Sequence, residues 1–561
     1  MTLRIAIIGG VAGGAGAAAA ARRANEAAQI DLFEAGAYIS FANCGLPYYL
    51  SGEIEDRAKL LITSPQMMLR RFNVQVHVGH QVMAIDRNAK SLLVKNLASG
   101  VAIDHPYDRL IIATGARSIR PPTPGLDHPR VAECRTVEDV DRLTDLMKRH
   151  PSGRVLVIGG GFIGIEVAEA LTLRGMRVTL LDLATQILPP LDPEIATAGQ
   201  EELMRRGVKL QLGVKAERLE HAEGQSTAVL SNGERVSFDF AVLSIGVTPE
   251  TSLAKAAGLA VGATGGLVVD DYQQTSDADI FAAGDVTELL YWPTQARTKV
   301  ALAGPANKQA RVAGANAAKL EPRLKTSGAA GTSIVRVFDL AIGMTGLSEK
   351  IANAQKIPYK VVYTQNGHHA GYFPQAQPLF IKLLFSLADG RVLGGQVFGR
   401  AGVDKRLDVL ATAIQGRFTV DQLADLDLTY APPFGSAKDP LVIAAMVAAN
   451  VLHGRTRTIT PRELAAELAS ENPPLVVDVR TPKEHAAGRI DHALNLPVDN
   501  LRALPAGVLP QSRSIIVHCA VGYRGYLAER ILRQSGYCDV RNLTGGYRAW
   551  QLQRPSPGPV A

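Results

Sequence analysis

The sequence predicts an α/β protein in which one strand–turn–helix–strand unit occurs twice, and three observations carry that reading. Residues 4–34 run RIAIIGG, VAGGAGAAAAARRA and IDLFE: an apolar strand, a glycine-rich turn, an alanine-rich helix and a second strand. Residues 154–182 repeat the order, opening with RVLVIGGGFIGIEVAEAL and closing with RVTLLD. Both units end on an acid, Glu34 and Asp182. Short apolar runs bounded by glycine and alternating with helical segments are the pattern of a parallel sheet, so each unit is Rossmann-like.

Length and composition set the frame. At about 150 residues per domain, 561 residues predict three or four domains. The net charge of +7 is mild for this length and forms no long basic block. Nucleic acid is therefore not an expected partner, whereas an anionic small molecule is. Four cysteines, at 44, 134, 519 and 538, are too scattered for a disulfide framework and form no CxxC metal pair, so a reducing, cytoplasmic setting and no metal are expected. MTLR leads straight into a strand without a secretory signal. The longest apolar run, Leu441 to Leu452, falls short of the roughly 20 residues that span a bilayer, and reads as a core helix with no membrane partner.

In chain order, the first turn supplies Gly9, Gly10 and Gly14, with Val11 where the GxGxxG pattern has its second glycine. Glycine lets the backbone approach a pyrophosphate, and the helix start then faces the phosphates with free amides. Glu34 stands where a ribose-binding carboxylate belongs. SFANCGLPYY at 40–49 follows directly. Its Cys44 precedes Gly45 and Pro47, a predicted helix start to which Ser40 and Asn43 offer capping oxygens. The helix dipole is expected to lend Cys44 thiolate character. A second cysteine five positions on would make a redox pair, but that residue is Tyr49. The strand YDRLIIATGA, with Ala113, Thr114 and Gly115, is where the chain crosses from one nucleotide domain to the next. Its echo SFDFAVLSIGVTPET carries Gly246. The second turn is complete, with Gly159, Gly161 and Gly164. Asp182 accepts from an unmodified ribose and repels a 2′-phosphate, which favours NADH over NADPH. DIFAAGD ends in Asp285, a carboxylate placed for a ribityl chain. Two dinucleotide sites imply two cofactors, one held permanently and reduced by the other.

Residues 1 to about 450 resemble the single-cysteine flavin disulfide reductases: coenzyme A disulfide reductase, NADH peroxidase and NADH oxidase. The resemblance rests on SFANCGLPYY, GGGFIGIE, ATGA, AAGD, LAGPANKQ and YAPPFGSAKDP. It implies FAD on the first turn, with Ala12 and Ala303 beside it, and a nicotinamide cofactor on the second, with Glu166. It also implies a homodimer built by residues of about 330 to 450. Cys44 would form a mixed disulfide or persulfide beside the flavin, with Asn307, Tyr372 and Tyr430 around the sulfur and the tyrosines coming from the other subunit. The peroxidase and oxidase branches carry a histidine in the first turn, where this chain has Ala12. The coenzyme A disulfide reductase branch is similar at Arg22, Arg23, Ser40, Asn43, Arg71, Tyr430 and Lys438, which the resemblance assigns, with Asn307, to a coenzyme A substrate or bound cofactor. A solvated helix face remains the other reading of Arg22 and Arg23.

Residues 458–555 resemble a single-domain rhodanese through Asp478, Arg480 and Glu484 of DVRTPKEH and the loop from Cys519 to Arg524. A cysteine at a strand end, followed by a loop into a helix start, has its sulfur ringed by amides, and Arg524 adds positive charge. Four residues separate Cys519 from Arg524, one fewer than in the related phosphatase cradle, which suits sulfur better than phosphate. Cys134 and Cys538 have no motif around them and read as structural.

The expected architecture is thus α/β: an FAD-binding domain at 1–118 and 250–325, an NAD(P)H-binding domain at 119–249, an α+β dimerisation domain at 326–452 and a rhodanese domain at 458–555. The expected function is NADH-dependent reduction of persulfides, polysulfides or coenzyme A persulfide to release sulfide. The alternatives are coenzyme A disulfide reductase, NADH oxidase or peroxidase, and a persulfide-carrying redox sensor.

Overall fold

The computed structural model describes residues 2–505 and 507–553, so the last two residues expected in the C-terminal domain lie outside it. Two compact units form, Met1–Thr185 with Gly207–Gly331, and Gln186–Arg206 with Thr332–Ala561.

The first unit holds two five-stranded parallel sheets. One runs Ile280–Ala282, Arg109–Ile112, Arg4–Ile8, Gln29–Glu34, Gln75–Val78. Ile5, Ile7, Ile30, Leu32 and Ile111 are buried against helices Ala12–Ala24 and Ala303–Ala317. The alanines of both helices have a packing cause, because at Gly314 an added Cβ would overlap the Ala17 carbonyl. The other sheet runs Lys209–Leu212, Arg177–Asp182, Arg154–Ile158, Phe240–Leu243, Val131–Ala132. The ATGA segment and its echo meet where Ala116–Ser118 pairs antiparallel with Val247–Pro249.

The second unit contains an antiparallel sheet, Ser333–Val337, Leu340–Gly346, Val392–Gly399, Pro378–Phe385, Lys360–Gly367. It also contains a parallel sheet, Thr458–Ile459, Val540–Leu543, Ile515–His518, Leu475–Asp478, Leu494–Asn495. Helix Pro440–Leu452, the longest apolar run, buries seven residues from Pro440 to Ala449. Among the described residues no helix is long and apolar enough to cross a membrane.

One segment departs from the sequence expectation. Residues 186–206 lie inside the stretch expected to form the NAD(P)H domain, but they group with the second unit. Their apolar residues Ile187, Leu188, Ile195 and Leu203 are buried, and their acids find a cation there. Lys382, 0 % exposed, pairs with Asp192 at 2.7 Å, Glu349 at 2.5 Å and Glu194. Its register neighbours complete the shell: the Tyr363 hydroxyl donates to Glu194 at 2.8 Å and Gln396 donates to Asp192 at 2.5 Å. The three carboxylates lie within 4.8 Å of one another, as metal ligands would, and the ammonium supplies the positive charge among them.

Removing that ammonium strands two buried acids, Asp192 and Glu194, beside a third, Glu349, that is partly exposed. Lys382→Met is expected to destabilise the protein by about 3–5 kcal/mol, read as a lower urea midpoint of the full-length chain; an unchanged midpoint refutes the assignment.

Candidate functional site

Both turns are built by backbone contacts that admit no side chain. At Gly14 an added Cβ would overlap the Gly9 carbonyl oxygen, and at Gly164 that of Gly159. Gly9 and Gly159 take φ of +95° and +114°, a region that disfavours side chains. Glu34 accepts from the amides of Gly10 and Gly36, both at 2.7 Å. Asp182 accepts from Gly160 at 2.5 Å and Ala184 at 2.7 Å. Each carboxylate oxygen therefore braces its turn with one lone pair and keeps another for a ribose hydroxyl. Helix Ala12–Ala24 starts without a side-chain cap or an acid in its first turn, and Gly161 faces open space. These residues fit two dinucleotides, with free amides where phosphates would sit.

The first turn also positions Cys44. The Ser40 amide donates to the Gly10 carbonyl at 2.9 Å, and Ser40, at φ +44°, turns the chain into the Asn43–Gly45 turn and helix Leu46–Ser51. Two expectations are corrected here. Neither Ser40 nor Asn43 caps these helices with its side chain, and the helix is only six residues long. Nor is the thiol acidified: Cys44 reaches the surface, but partial burial and then the negative charges of Glu166 and Asp285 push it above the ordinary thiol value. Burial raises the Asp285 carboxyl as well, against the opposing charge of Arg135. The Tyr48 hydroxyl donates to Glu166 at 3.4 Å. The charge of a carboxylate of the second fingerprint thus reaches the cysteine that follows the first, a coupling that linear spacing does not reveal. Thr114 donates to the Glu250 carbonyl at 2.7 Å, while Gly115 and Gly246 take positive φ where the chain crosses between the sheets.

The residues assigned to coenzyme A divide. Arg22 is corrected: it is 3 % exposed, and its guanidinium donates to the carbonyls of Phe72, Asn25, Glu26 and Asn73 at 2.6–3.2 Å. It ties its helix to the following segments and has no face left for a phosphate. Arg23, Asn43, Arg71 and Asn307 are exposed, and Asn307 donates to the Ala303 carbonyl at 2.9 Å. In the second unit Tyr372 and Tyr430, both exposed, share a hydroxyl–hydroxyl bond of 3.1 Å, and Lys438 is exposed on the same YAPPFGSAKDP segment as Tyr430.

The second unit carries a separate sulfur site. Cys519 ends strand Ile515–His518, 1 % exposed, and its sulfur accepts from the Gly522 amide at 3.1 Å just before helix Tyr523–Gln534. Arg524 is placed to interact with the same sulfur and forks onto Glu484 at 2.8 and 2.6 Å. That guanidinium, with Thr481, holds Glu484 down at about 2. Asp478 and Arg480 are a buried pair at 2.6 Å that also fixes the Gly488 carbonyl, with His485 on the same carboxylate at 2.8 Å. Sequence reasoning missed three neighbours. Burial pushes His518, next to Cys519, down to about 4. Gly546 leaves 2.5 Å between an added Cβ and the Cys519 carbonyl, and Gly545 leaves 2.7 Å to the Tyr363 Cβ. The Tyr363 amide donates to Thr544 Oγ1 at 2.8 Å, which seats this glycine pair on the antiparallel sheet. The GG of TGGYRAW was the available signal. Cys134 is buried, with its thiol pushed far up by burial, and Cys538 is exposed; neither contributes to a site.

Comparison with known proteins places this geometry. The pyridine nucleotide-disulphide oxidoreductase family matches residues 3–310, more than half of the chain. The chain belongs to that family. It is accordingly an oxidoreductase, and its two turns fit the FAD and NAD(H) that the family implies. The family's dimerisation domain matches residues 332–440 and the rhodanese-like domain residues 460–553. The chain is similar to a reduced Bacillus anthracis CoADR-RHD, with TM-score 0.95 and 40 % identity over 98 % of both chains. It is similar to an NAD-dependent persulfide reductase from A. fulgidus, with TM-score 0.91 and 34 % identity over 98 % of this chain and 100 % of the other. An NADH oxidase of Methanocaldococcus jannaschii is 31 % identical over 79 % of this chain and 98 % of its own length.

The charge around Cys44 gives a pH prediction. A neighbouring anion disfavours the thiolate, so the pH at which Cys44 becomes alkylated lies above that of a free thiol. Glu166→Gln is expected to lower that midpoint, measured as the iodoacetamide rate on the Cys44 peptide against pH; a midpoint unmoved or raised refutes the contact.

Proposed function

We propose that this oxidoreductase uses NADH to reduce persulfides, including coenzyme A persulfide, and releases sulfide. The observation that carries the reading is the presence in one chain of Cys44, within the field of the Glu166 carboxylate, and of Cys519, whose sulfur accepts from the Gly522 amide at the start of a helix. The likeness to the A. fulgidus persulfide reductase over nearly the whole of both chains supports it.

FAD, when bound, accepts a hydride from NADH and supplies an electron pair to sulfur. Cys44 acts as nucleophile: its thiolate attacks the inner sulfur of R–S–SH, hydrosulfide leaves, and R–S–S–Cys44 remains. Two electrons and one proton then return RSH and the thiolate. Because the resting thiol is held protonated by its surroundings, substrate approach must bring positive charge or a base. Arg23, Arg71 and Lys438 suit the phosphates of coenzyme A. Tyr372 and Tyr430, already sharing one hydrogen bond, suit proton delivery to a leaving thiolate in a homodimer built on residues 332–440. Asp182, with both oxygens facing ribose-side amides, favours NADH over NADPH. Cys519 collects sulfane sulfur and passes it to coenzyme A, whose flexible arm carries it onward. Both thiols must stay reduced, which fits a cytoplasmic setting.

Coenzyme A disulfide reduction is the second reading, favoured by the likeness to CoADR-RHD. Oxidase or peroxidase chemistry is disfavoured because Ala12 offers no proton-handling group in the first turn. Cys44→Ser is expected to abolish NADH-dependent sulfide release from a persulfide, and Cys519→Ser to leave reduction of added coenzyme A persulfide intact. Sulfide release that survives Cys44→Ser overturns the mechanism. Oxygen consumption without sulfide would mark an oxidase, and turnover confined to coenzyme A disulfide would mark the second reading.

A further inference from the structure

The loop around Cys519 carries very little net charge for a site that takes an anionic sulfur donor. Between Cys519 and Arg524 the side chains are Ala520, Val521 and Tyr523, with Gly522. Tyr523 is 69 % exposed, so the mouth is apolar and aromatic. Arg524 is the guanidinium of this loop, and Glu484 already occupies it through two oxygens. Glu484 is itself anchored. Its Oε2 accepts from the Thr481 amide and hydroxyl, both at 3.0 Å, in the cap of helix Pro482–Ala486. Three further basic groups of the domain are engaged elsewhere: Arg480 and His485 on Asp478, and Arg548 toward Glu201 at 3.8 Å. A carboxylate that stays ionised at any physiological pH thus stands one guanidinium away from the reacting sulfur.

We infer that Cys519 takes its sulfur from an organic persulfide, whose reacting S–SH end carries at most one negative charge, and that Glu484 excludes thiosulfate and other small dianionic sulfane donors. This rests on the reading of Cys519 as a sulfane acceptor. The Cys519 thiolate attacks the outer sulfur of R–S–SH, the S–S bond breaks, and a Cys519–S bond forms. RS⁻ leaves with the electron pair, the proton stays on the transferred sulfur, and nothing is oxidised or reduced overall. With thiosulfate the leaving group is the sulfite dianion, which must form beside the Glu484 carboxylate that already shares the Arg524 guanidinium. The apolar mouth accommodates the carbon chain of a thiol and gives nothing to a small dianion.

The test uses the full-length protein without NADH, glutathione persulfide and thiosulfate as donors, and the gain of one sulfur atom on the Cys519 peptide as readout. Wild type is expected to prefer the persulfide by at least about a hundredfold in kcat/KM, and its thiosulfate rate to rise with ionic strength as the like charge is screened. Glu484→Gln keeps the cap and removes the charge. It should raise thiosulfate kcat/KM relative to that for the persulfide about tenfold, mainly through KM, while Glu484→Asp keeps the exclusion. Equal use of both donors by wild type, or an unchanged ratio in Glu484→Gln, overturns the inference and leaves the reductase reading standing. Should Glu484→Gln fail to fold, a thiosulfate rate indifferent to salt overturns it. Transfer from neither donor overturns the acceptor reading of Cys519 together with this inference.

Discussion

The first unit depends on two places where backbone meets backbone with no atom to spare, Gly14 on Gly9 and Gly164 on Gly159. Each contact pulls a helix start down onto a strand end, which leaves the first amides of that helix pointing outward. The same closeness lets one acid at the end of the neighbouring strand reach two turn amides. From the first turn, one further hydrogen bond, Ser40 to Gly10, fixes the departure of the segment that carries Cys44. The position of the thiol therefore follows from the packing of glycine, through a single unbroken chain of backbone bonds.

The two sulfur sites use opposite electrostatics. Burial, and then the negative charges of Glu166 and Asp285, hold Cys44 above the ordinary thiol value. Cys519 is given an amide and a guanidinium, yet a carboxylate shares that guanidinium. Neither thiol is in a strongly positive field. Reactivity at both is therefore tied to what the incoming molecule brings, a sensible restraint for cysteines that would otherwise react with any oxidant.

How much could be read in advance follows from the range of each interaction. Apolar strands, glycine turns and the Cys519 loop are local patterns, and they stand in the fold where the sequence put them. What escaped depends on partners distant in the chain. Arg22 was assigned to a coenzyme A phosphate by the resemblance, whereas two of the carbonyls it serves belong to Phe72 and Asn73, about fifty positions on. Residues 186–206 looked continuous with their surroundings until Lys382, almost two hundred positions on, claimed their acids. The helix at Leu46–Ser51 was read as capped and acidifying because short polar residues precede it, but it is only six residues long, and burial, then the charges of Glu166 and Asp285, outweigh its dipole at Cys44.

The strand that holds Tyr363 serves two masters. Its hydroxyl is committed to the buried acids around Lys382, and its amide to Thr544, one residue before the glycine pair that backs the Cys519 loop. A C-terminal module attached only by a tether could be traded freely for another during evolution. One whose catalytic loop leans on the edge of the preceding sheet cannot, since any replacement must arrive with its own hydroxyl and its own pair of bare alpha carbons at that seam.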